Sequence, residues 1–360
     1  MAFALSHELS RWLDETAADF DGGRADPASL LPQLARDGLF SLGVPRAAGG
    51  AGGDVTDPVE AIAAVSQHSM TAGFVFWSQR TFIEYLLQSP NAALRERLLP
   101  GLIRGATAGA TGLSNAMKFL SGLEELQVSA QAEGQGFRLN GKLPWVTNLQ
   151  RSGFHVAAAV APPTGHAFIA ALPHDLPGLA RSADLDLLGM RSSATAAVAL
   201  KDVRIGPEHV LHAQASQWLA QVRPAFLGLQ CGMSIGLARR ALSEASAQAG
   251  PARQVLREPL SALTRHLGEQ ERGLRDGLRA GAFHAQPATL FRIRIALAEI
   301  VAEAVMLELQ ASGGRAYLSL HGQGFARRLR EAAFVPVITP SITQLKAALV
   351  GQVGTAGRAA

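Results

Sequence analysis

The hydrophobic residues of this chain change their spacing twice, and this change constrains the fold more than any other feature of the sequence. Up to about residue 109 they recur at the spacing of one helix face. After Met117 they alternate with polar residues, as in half-buried strands, and from Gln217 the helical spacing returns. The order of helices, strands and helices predicts a mostly α, α+β fold and argues against a doubly wound parallel sheet.

Three domains follow from this pattern. We predict an N-terminal α-helical domain over residues 1–115, a middle β-barrel or sandwich domain over 116–215 and a C-terminal α-helical domain over 216–360. Asn140-Gly141 is a typical hairpin pair, so we expect a turn there. The glycine-rich residues 49–53 lack the GK[ST] ending of a phosphate loop and predict a simple connection.

Composition and charge exclude several classes of protein. The chain has 360 residues, 48% of them hydrophobic, but every apolar stretch long enough to span a membrane contains a charge or a helix breaker, so we expect no membrane helix. The N-terminus lacks the basic region of a secretory signal, and the one cysteine, Cys231, cannot form an internal disulfide; both favour the cytoplasm. The net charge of +4 is scattered, which argues against a nucleic-acid partner. No residues have the spacing of metal ligands, so no metal site is predicted.

Seven segments of the chain match, in the right order, the motifs of one family. They are LFSLGVPRAAGGAGGDV (39–55), RERLLPGLIRG (95–105), FRLNGKLPWVTN (137–148), LGMRSSATAAVALKDVRIGPEHVL (188–211), RQVLREPL (253–260), GGRAY (313–317) and REA (330–332). Through these segments the chain resembles the acyl-CoA dehydrogenase family over nearly its whole length.

The resemblance implies a fold and an activity. The fold is an N-terminal helical domain, a middle antiparallel β domain and a C-terminal helical bundle. The expected cofactor is FAD, and the expected activity is a flavin-dependent oxidation of CH–CH bonds in a small-molecule substrate such as a CoA thioester. The family binds FAD at a subunit interface, so the resemblance also implies a homodimer or homotetramer.

The resemblance assigns particular residues to the cofactor. They are Leu113, Ser114, Trp145, Thr147, Arg253, Gly313, Gly314, Ser341 and Thr343. Trp145 and Thr147 point to the same side of a strand and would offer the flavin ring an indole wall and a hydroxyl donor. Arg253 with Gly313-Gly314 would hold the diphosphate of a neighbouring subunit's FAD. From spacing alone, Trp145 also fits a core aromatic residue, Arg253 a surface arginine and Gly313-Gly314 a helix cap.

The chain departs from the family where the catalytic base belongs. Thr339 occupies the position of the family's glutamate, and the alternative position, within residues 222–226, holds no carboxylate either. A proton next to a thioester is removed only by a base within hydrogen-bond reach, and a threonine hydroxyl is too weak. The catalytic residues are therefore unknown from the sequence, with Glu331 or a histidine as conceivable substitutes. The loop at residues 113–121 has also drifted from the family's CoA-binding pattern.

Three functions remain open. The first is a dehydrogenase of this family with an altered or displaced base, which the general sequence agreement with plain dehydrogenases favours. The second is a flavin-dependent monooxygenase on the same fold, which the missing base and the drifted loop favour. The third is a non-catalytic flavin-bearing protein, which the scattered charge makes the least favoured.

Two apolar helical stretches predict contact between subunits. Residues 226–238 and 290–309 are rich in apolar side chains. We expect a lone domain to leave these faces partly exposed, and exposed apolar patches usually mark contacts.

Overall fold

Helices form the first part of the molecule. The computed structural model describes residues 3–356 except 115, 117, 118 and 120–123. The first five helices are α1 (His7–Gly22), α2 (Leu30–Arg36), α3 (Thr56–His68), α4 (Met70–Leu87) and α5 (Ala92–Ile103). The Ser6 hydroxyl accepts a hydrogen bond from the Leu9 N–H at the start of α1, and Gly23, with φ of 77°, ends that helix. Helix α4 is buried along almost its whole length, which makes it the central helix.

Two four-stranded sheets form the middle part. The strands are β1 (Ala108–Thr111), β2 (Val128–Glu133), β3 (Gly136–Val146), β4 (Phe154–Val160), β5 (Phe168–Pro173), β6 (Leu179–Arg181), β7 (Ala196–Ile205) and β8 (Val210–His212). One sheet has the order β1-β4-β5-β8 and the other the order β2-β3-β7-β6. The β1–β4 pair is parallel and the other pairs are antiparallel, so one pairing departs from the expected antiparallel sheet.

The turn expected at Asn140-Gly141 is wrong. Strand β3 runs through both residues, and the chain instead turns at Gly134 and Gln135. The register of β3 against β7 shifts between Leu139 and Gly141, which marks a bulge. Gly141 has φ of 144°, and a Cβ there would lie 2.1 Å from the Gln127 carbonyl oxygen. Glycine is therefore required by a bulge and a close backbone contact rather than by a turn.

Helices return in the last part of the chain. They are α6 (Ala215–Gln248), α7 (Arg257–Arg279), α8 (Ala282–Ala285), α9 (Pro287–Ser312), α10 (Gln323–Phe334) and α11 (Ile342–Ala356). Helices, strands and helices thus follow one another as predicted, and the fold class is confirmed. The boundaries near residues 115 and 215 stay a prediction.

The two apolar stretches expected at a subunit contact pack inside the chain instead. Residues 226–238 of α6 are buried, as is most of the apolar side of α9. Helix α6 packs closely on α3, because a Cβ on Gly232 or Gly236 would lie within 2.7 Å of an α3 carbonyl oxygen. This close packing explains the small residues of α6. The expectation that these faces are exposed is therefore wrong.

One segment, Gln323–Val350, is long and apolar enough to cross a membrane by length and composition, with a mean hydropathy of 1.4. In the structure it comprises two helices, α10 and α11, with a turn of 3-10 helix at Val335–Val337 after α10. A single such segment is weak support for a membrane span, so the expectation of no membrane helix stays a prediction.

Candidate active site

A cleft lies where α4, the end of β3, residues 187–190 and the α10 region meet. Its volume is about 490 Å³. Apolar side chains form most of its wall, with four threonines, Ser114 and Arg330 among them. The lining residues are Phe74, Trp77, Thr111, Ser114, Trp145, Thr147, Leu187, Leu188, Gly189, Met190, Thr195, Arg330, Ala333, Phe334, Val337, Ile338 and Thr339. Four residues that the sequence singled out meet here: Ser114, Trp145, Thr147 and Thr339.

Trp145 and Thr147 lie at the end of β3, on the same side of the chain. The indole of Trp145 is 62% exposed, which is unusual for so large an apolar side chain. Thr147 is buried, and its hydroxyl is 3.0 Å from the Thr195 hydroxyl, which is 2.7 Å from that of Ser193. The cleft therefore has a flat aromatic face at its mouth and a cluster of hydroxyl groups behind it.

Buried polar groups fix the backbone at this point. The Ser78 hydroxyl donates to the Thr147 carbonyl oxygen over 3.2 Å. The next residue, Asn148, has φ of 63° and is fully buried. Its side-chain amide donates to Gln79 Oε1 over 2.9 Å and to the Gly109 carbonyl oxygen over 3.0 Å. These hydrogen bonds offset the strain of the positive φ at Asn148 and hold the neighbouring Thr147 in place.

An aromatic wall faces the hydroxyl groups, and the sequence did not reveal it. Phe74 and Trp77 of α4 stack with their ring centroids 5.6 Å apart, and Phe334 meets Phe74 edge-on at 5.0 Å. The Trp77 indole N–H donates to the Phe226 carbonyl oxygen over 3.5 Å. Helix α4 is buried on almost all sides, so its sequence alone cannot separate cleft residues from core residues.

Arg330 contributes a cation to the wall of the cleft. Its Nη2 lies 2.5 Å from Asp21 Oδ2, and Asp21 is almost fully buried on α1. The other carboxylate oxygen of Asp21 accepts from the Met190 N–H over 2.8 Å. One carboxylate thus ties α1, α10 and the loop at residues 187–190 together at the cleft.

Thr339 lies in the wall, but no carboxylate or imidazole accompanies it. None of the described residues that line the cleft is Asp, Glu or His. Glu331 lies elsewhere: it is buried, accepts from Arg327 Nη1 over 2.8 Å, and burial raises the pKa of its carboxyl group despite that arginine. A base at Glu331 or at a histidine therefore has no support from the geometry of the cleft.

The other predicted cofactor residues lie outside this cleft. Arg253 Nη1 donates to the carbonyl oxygens of Gln248 and Ala311, and its guanidinium lies beside Gly313. Gly314 is exposed, with open space where a Cβ would stand. This grouping, away from Trp145, is compatible with a role at another subunit's cofactor, which stays a prediction.

Three further predicted residues have local roles in the structure. Leu113 is fully buried next to Ser114. The Ser341 hydroxyl accepts from the Gln344 N–H over 3.3 Å at the start of α11, which is a capping contact. Thr343 is exposed on the first turn of that helix. No described residue group holds three or more His, Cys, Asp or Glu side chains arranged for a metal ion.

A larger cavity, of about 610 Å³, lies between α1, α6, α9 and α10. Several of its charged groups are already paired, among them Arg328 with Glu308 at 2.5 Å and Arg240 with Glu244 at 2.8 Å. It contains none of the residues that the sequence assigned to a cofactor. We therefore place the candidate site in the smaller, mainly apolar cleft.

Comparison with known proteins shows the class to which this three-part fold with its mainly apolar cleft belongs. Residues 7–106 match the family model "Acyl-CoA dehydrogenase, N-terminal domain". A probable acyl-CoA dehydrogenase of Bacillus subtilis, YngJ, is 25% identical over 337 residues, which are 86% of each chain. The chain belongs to the acyl-CoA dehydrogenase family.

Solved structures share the fold. Butyryl-CoA dehydrogenase from Megasphaera elsdenii superposes with a TM-score of 0.80 at 18% identity, over 98% of this chain and 100% of that one. KijD3, in complex with FMN and a dTDP-linked amino-keto sugar, superposes with a TM-score of 0.81 at 21% identity, over 96% of this chain and 91% of that one. The likeness confirms the predicted fold, and the roles of individual site residues stay predictions.

Proposed function

We propose that the protein is a flavin-dependent oxidoreductase that binds its flavin in the cleft beside Trp145. Three features support this: an exposed indole at the mouth, a hydroxyl cluster at Thr147 and Thr195, and an apolar wall opposite. The volume of about 490 Å³ lies in the usual range for ligand pockets. The residues present therefore fit a flat aromatic group with polar atoms along one edge.

A bound flavin would supply two-electron oxidation and reduction, which the described side chains lining the cleft do not provide. The protein would bind and orient it: Trp145 as a flat surface for the ring, and Thr147 and Ser114 as hydrogen-bonding hydroxyls. Phe74, Trp77 and the other apolar residues would exclude water from the reacting side. Exclusion of water strengthens every polar contact made inside the cleft.

We propose FAD rather than FMN as the flavin. The support is Arg253 beside Gly313, a cation next to an accessible backbone, which is the chemistry a diphosphate requires. Since these residues lie away from the cleft of their own chain, the proposal includes a homo-oligomer. The KijD3 structure contains FMN, so the fold itself allows either flavin.

For the reaction, we propose oxygenation of a small substrate by O₂ and flavin that an external two-electron donor has reduced, with one oxygen atom entering the substrate and the other leaving as water. The observation that carries this choice is the cleft wall, where Thr339 takes the glutamate position and no described lining residue is Asp, Glu or His. The residues of the neighbouring segment outside the described part, 115, 117, 118 and 120–123, also include no such residue in the sequence. Proton removal next to a thioester would lack its base, whereas oxygenation does not require a carboxylate at this position.

A second candidate is dehydrogenation of a CoA thioester. Its support is the match to YngJ, which covers 86% of both chains and is described as a probable acyl-CoA dehydrogenase. Loss of a general base removes a factor of about 10²–10⁴ in rate. We therefore expect at most residual activity on ordinary straight-chain acyl-CoAs.

One pair of measurements separates the two candidates. The purified protein, reduced with dithionite, is mixed with O₂, and the rate of flavin reoxidation is followed by absorbance. The oxidised protein is mixed without oxygen with butyryl-, octanoyl- and branched acyl-CoAs. Fast reoxidation with no bleaching by the thioesters supports the oxygenase. Rapid, complete bleaching with slow reoxidation would establish the dehydrogenase, and a protein that binds neither added FAD nor added FMN would refute both.

A further inference from the structure

A permanently charged arginine lies in the core behind the cleft. Arg294, on α9, is fully buried. In the described part of the chain it forms no ion pair with a carboxylate, and its Nη1 has no hydrogen-bond partner. A buried, unpaired cation is destabilising by several kcal/mol. A residue that is present despite this destabilisation is a candidate for a role beyond packing.

The hydrogen bonds of Arg294 lead to the wall of the cleft. Arg294 Nε donates to Gln230 Oε1 over 2.9 Å, and the Gln230 amide donates to the Thr339 carbonyl oxygen over 3.1 Å. Arg294 Nη2 donates to the Val335 carbonyl oxygen over 2.7 Å. Both ends of the segment 335–339 are therefore bound to the same pair of side chains.

Packing holds this segment unevenly, because Val335 and Ile338 are buried whereas Pro336 and Val337 between them are exposed. Val337, in its middle, is 61% exposed, although Val337, Ile338 and Thr339 all line the cleft. The positive charge of Arg294 polarises the Gln230 amide and strengthens its bond to Thr339. With that carbonyl turned to the core, the Thr339 backbone offers no free acceptor to a ligand in the cleft.

We infer that Gln230 and Arg294 are positioning residues that fix segment 335–339, and so set the shape and polarity of the cleft wall at Thr339. This inference rests on the proposed function in that the cleft is taken as the reaction site. It concerns side chains that touch neither flavin nor substrate, and it assigns a role to a buried charge that the proposed chemistry does not use.

The test places a reporter at the wall itself. In a Thr339→Cys variant, the rate of labelling by a small maleimide reports how freely residue 339 moves. The native Cys231 does not interfere, because it is fully buried and burial raises the pKa of its thiol to about 12. The wild-type protein, which has no other cysteine, measures any background.

Gln230→Glu, added to this variant, separates positioning from stability. The new carboxylate pairs with Arg294, so the midpoint of thermal unfolding should stay the same or rise. The ionised side chain cannot donate to the Thr339 carbonyl, so labelling should become about tenfold faster, the factor expected for one lost hydrogen bond. Arg294→Met should also speed labelling but lower the unfolding midpoint, because it leaves two acceptors unpaired. Arg292→Met, an exposed arginine on the same helix, is the matched control and should change neither.

The test of this positioning role does not depend on which reaction the protein catalyses. Faster labelling of the Gln230→Glu variant at an undiminished unfolding midpoint supports it. Unchanged labelling overturns it, and so does labelling that rises only as the unfolding midpoint falls, since that would show general loosening. The measurement needs no flavin reaction, so a failure of the proposed function would be recognised separately.

Discussion

At the scale of single residues, the exposed indole of Trp145 is the feature that a bound ligand would best explain. Its indole is 62% exposed at the mouth of an apolar cleft, and large aromatic surfaces are seldom left open to water without a function. The same segment places the buried Thr147 hydroxyl two residues further on. Together they predict the side of the cleft that receives the flavin ring.

We predict that Trp145→Ala lowers flavin affinity by about tenfold or more, because stacking on one aromatic ring is worth about 1–3 kcal/mol. The measurement is titration of the apoprotein with FAD and with FMN, followed by flavin fluorescence and by the visible spectrum. Trp145→Phe, which keeps an aromatic face, should retain most of the affinity. If Trp145→Ala keeps both the affinity and the spectrum of the wild type, the flavin lies elsewhere.

Thr339 permits a constructive experiment. Thr339→Glu places a carboxylate in the cleft wall at the family's position, and the backbone there is held by Gln230. We predict that anaerobic bleaching of the flavin by butyryl- or octanoyl-CoA becomes faster by about 10²-fold, the lower end of general-base catalysis. Thr339→Gln has the same shape without the base and should show no gain. Equal rates for the two variants would mean that the missing base is not what prevents dehydrogenation.

At the scale of elements, β4 lies against α4 through a histidine. His155 of β4 stacks on Phe82 with ring centroids 6.4 Å apart, and its Nδ1 has no partner among the described residues. Burial, with the nearby Arg97 and His174 in support, lowers the pKa of His155 to about 4. The folded protein therefore keeps this ring neutral while the unfolded chain protonates it near its ordinary pKa of 6.5.

This difference predicts a loss of stability in mild acid. Below the unfolded pKa the unfolded state binds the extra proton, so the free energy of unfolding falls as the pH drops from 6.5 towards 4. Between about pH 7 and about pH 5 the loss from His155 should be about 2 kcal/mol. Urea unfolding followed by circular dichroism measures it. His155→Gln should reduce the loss, and His166→Gln, in an exposed loop, should leave it as in the wild type; equal losses in all three proteins would contradict the assignment.

At the scale of the whole molecule, exposed apolar side chains follow the predicted diphosphate residues in the sequence. Val255 comes two residues after Arg253, and Tyr317, Leu318 and Leu320 come shortly after Gly313-Gly314; all four are exposed. The faces of α6 and α9 are buried within the chain and no longer support a subunit contact. The four exposed side chains now provide that support. If a neighbouring chain covers these side chains, Arg253 would come to lie at a subunit interface.

We predict that Leu320→Asp weakens the homo-oligomer and, with it, flavin retention, because the buried charge would oppose association. Sedimentation velocity at micromolar concentration measures the assembly, and flavin per chain is read from the absorbance ratio. Thr164→Asp, in the exposed loop between β4 and β5, is the control. A wild-type monomer that retains its flavin would refute the shared site.

The sequence determined the order of elements and the identity of one site segment. The spacing of hydrophobic residues identifies helices and strands, because residues on one face recur at different intervals in the two structures. This spacing is a local property of the sequence. Hence the three-part fold was predictable from the spacing. The segment carrying Trp145 and Thr147, and Thr339 at the position of the family's base, were singled out by the resemblance to the family's motifs; the structure places all three residues in one cleft, and their roles stay predictions.

The tertiary structure alone decided which residues share the cleft. Phe74 and Trp77 lie on a helix that is buried on almost all sides, so only packing distinguishes the side that faces the cleft from the side that faces the core. Gly141 meets the Gln127 carbonyl across a strand bulge, a contact that no local pattern encodes. The Arg294–Gln230–Thr339 connection joins three distant parts of the chain. Such long-range contacts arise from how the elements pack, and a one-dimensional pattern does not contain them.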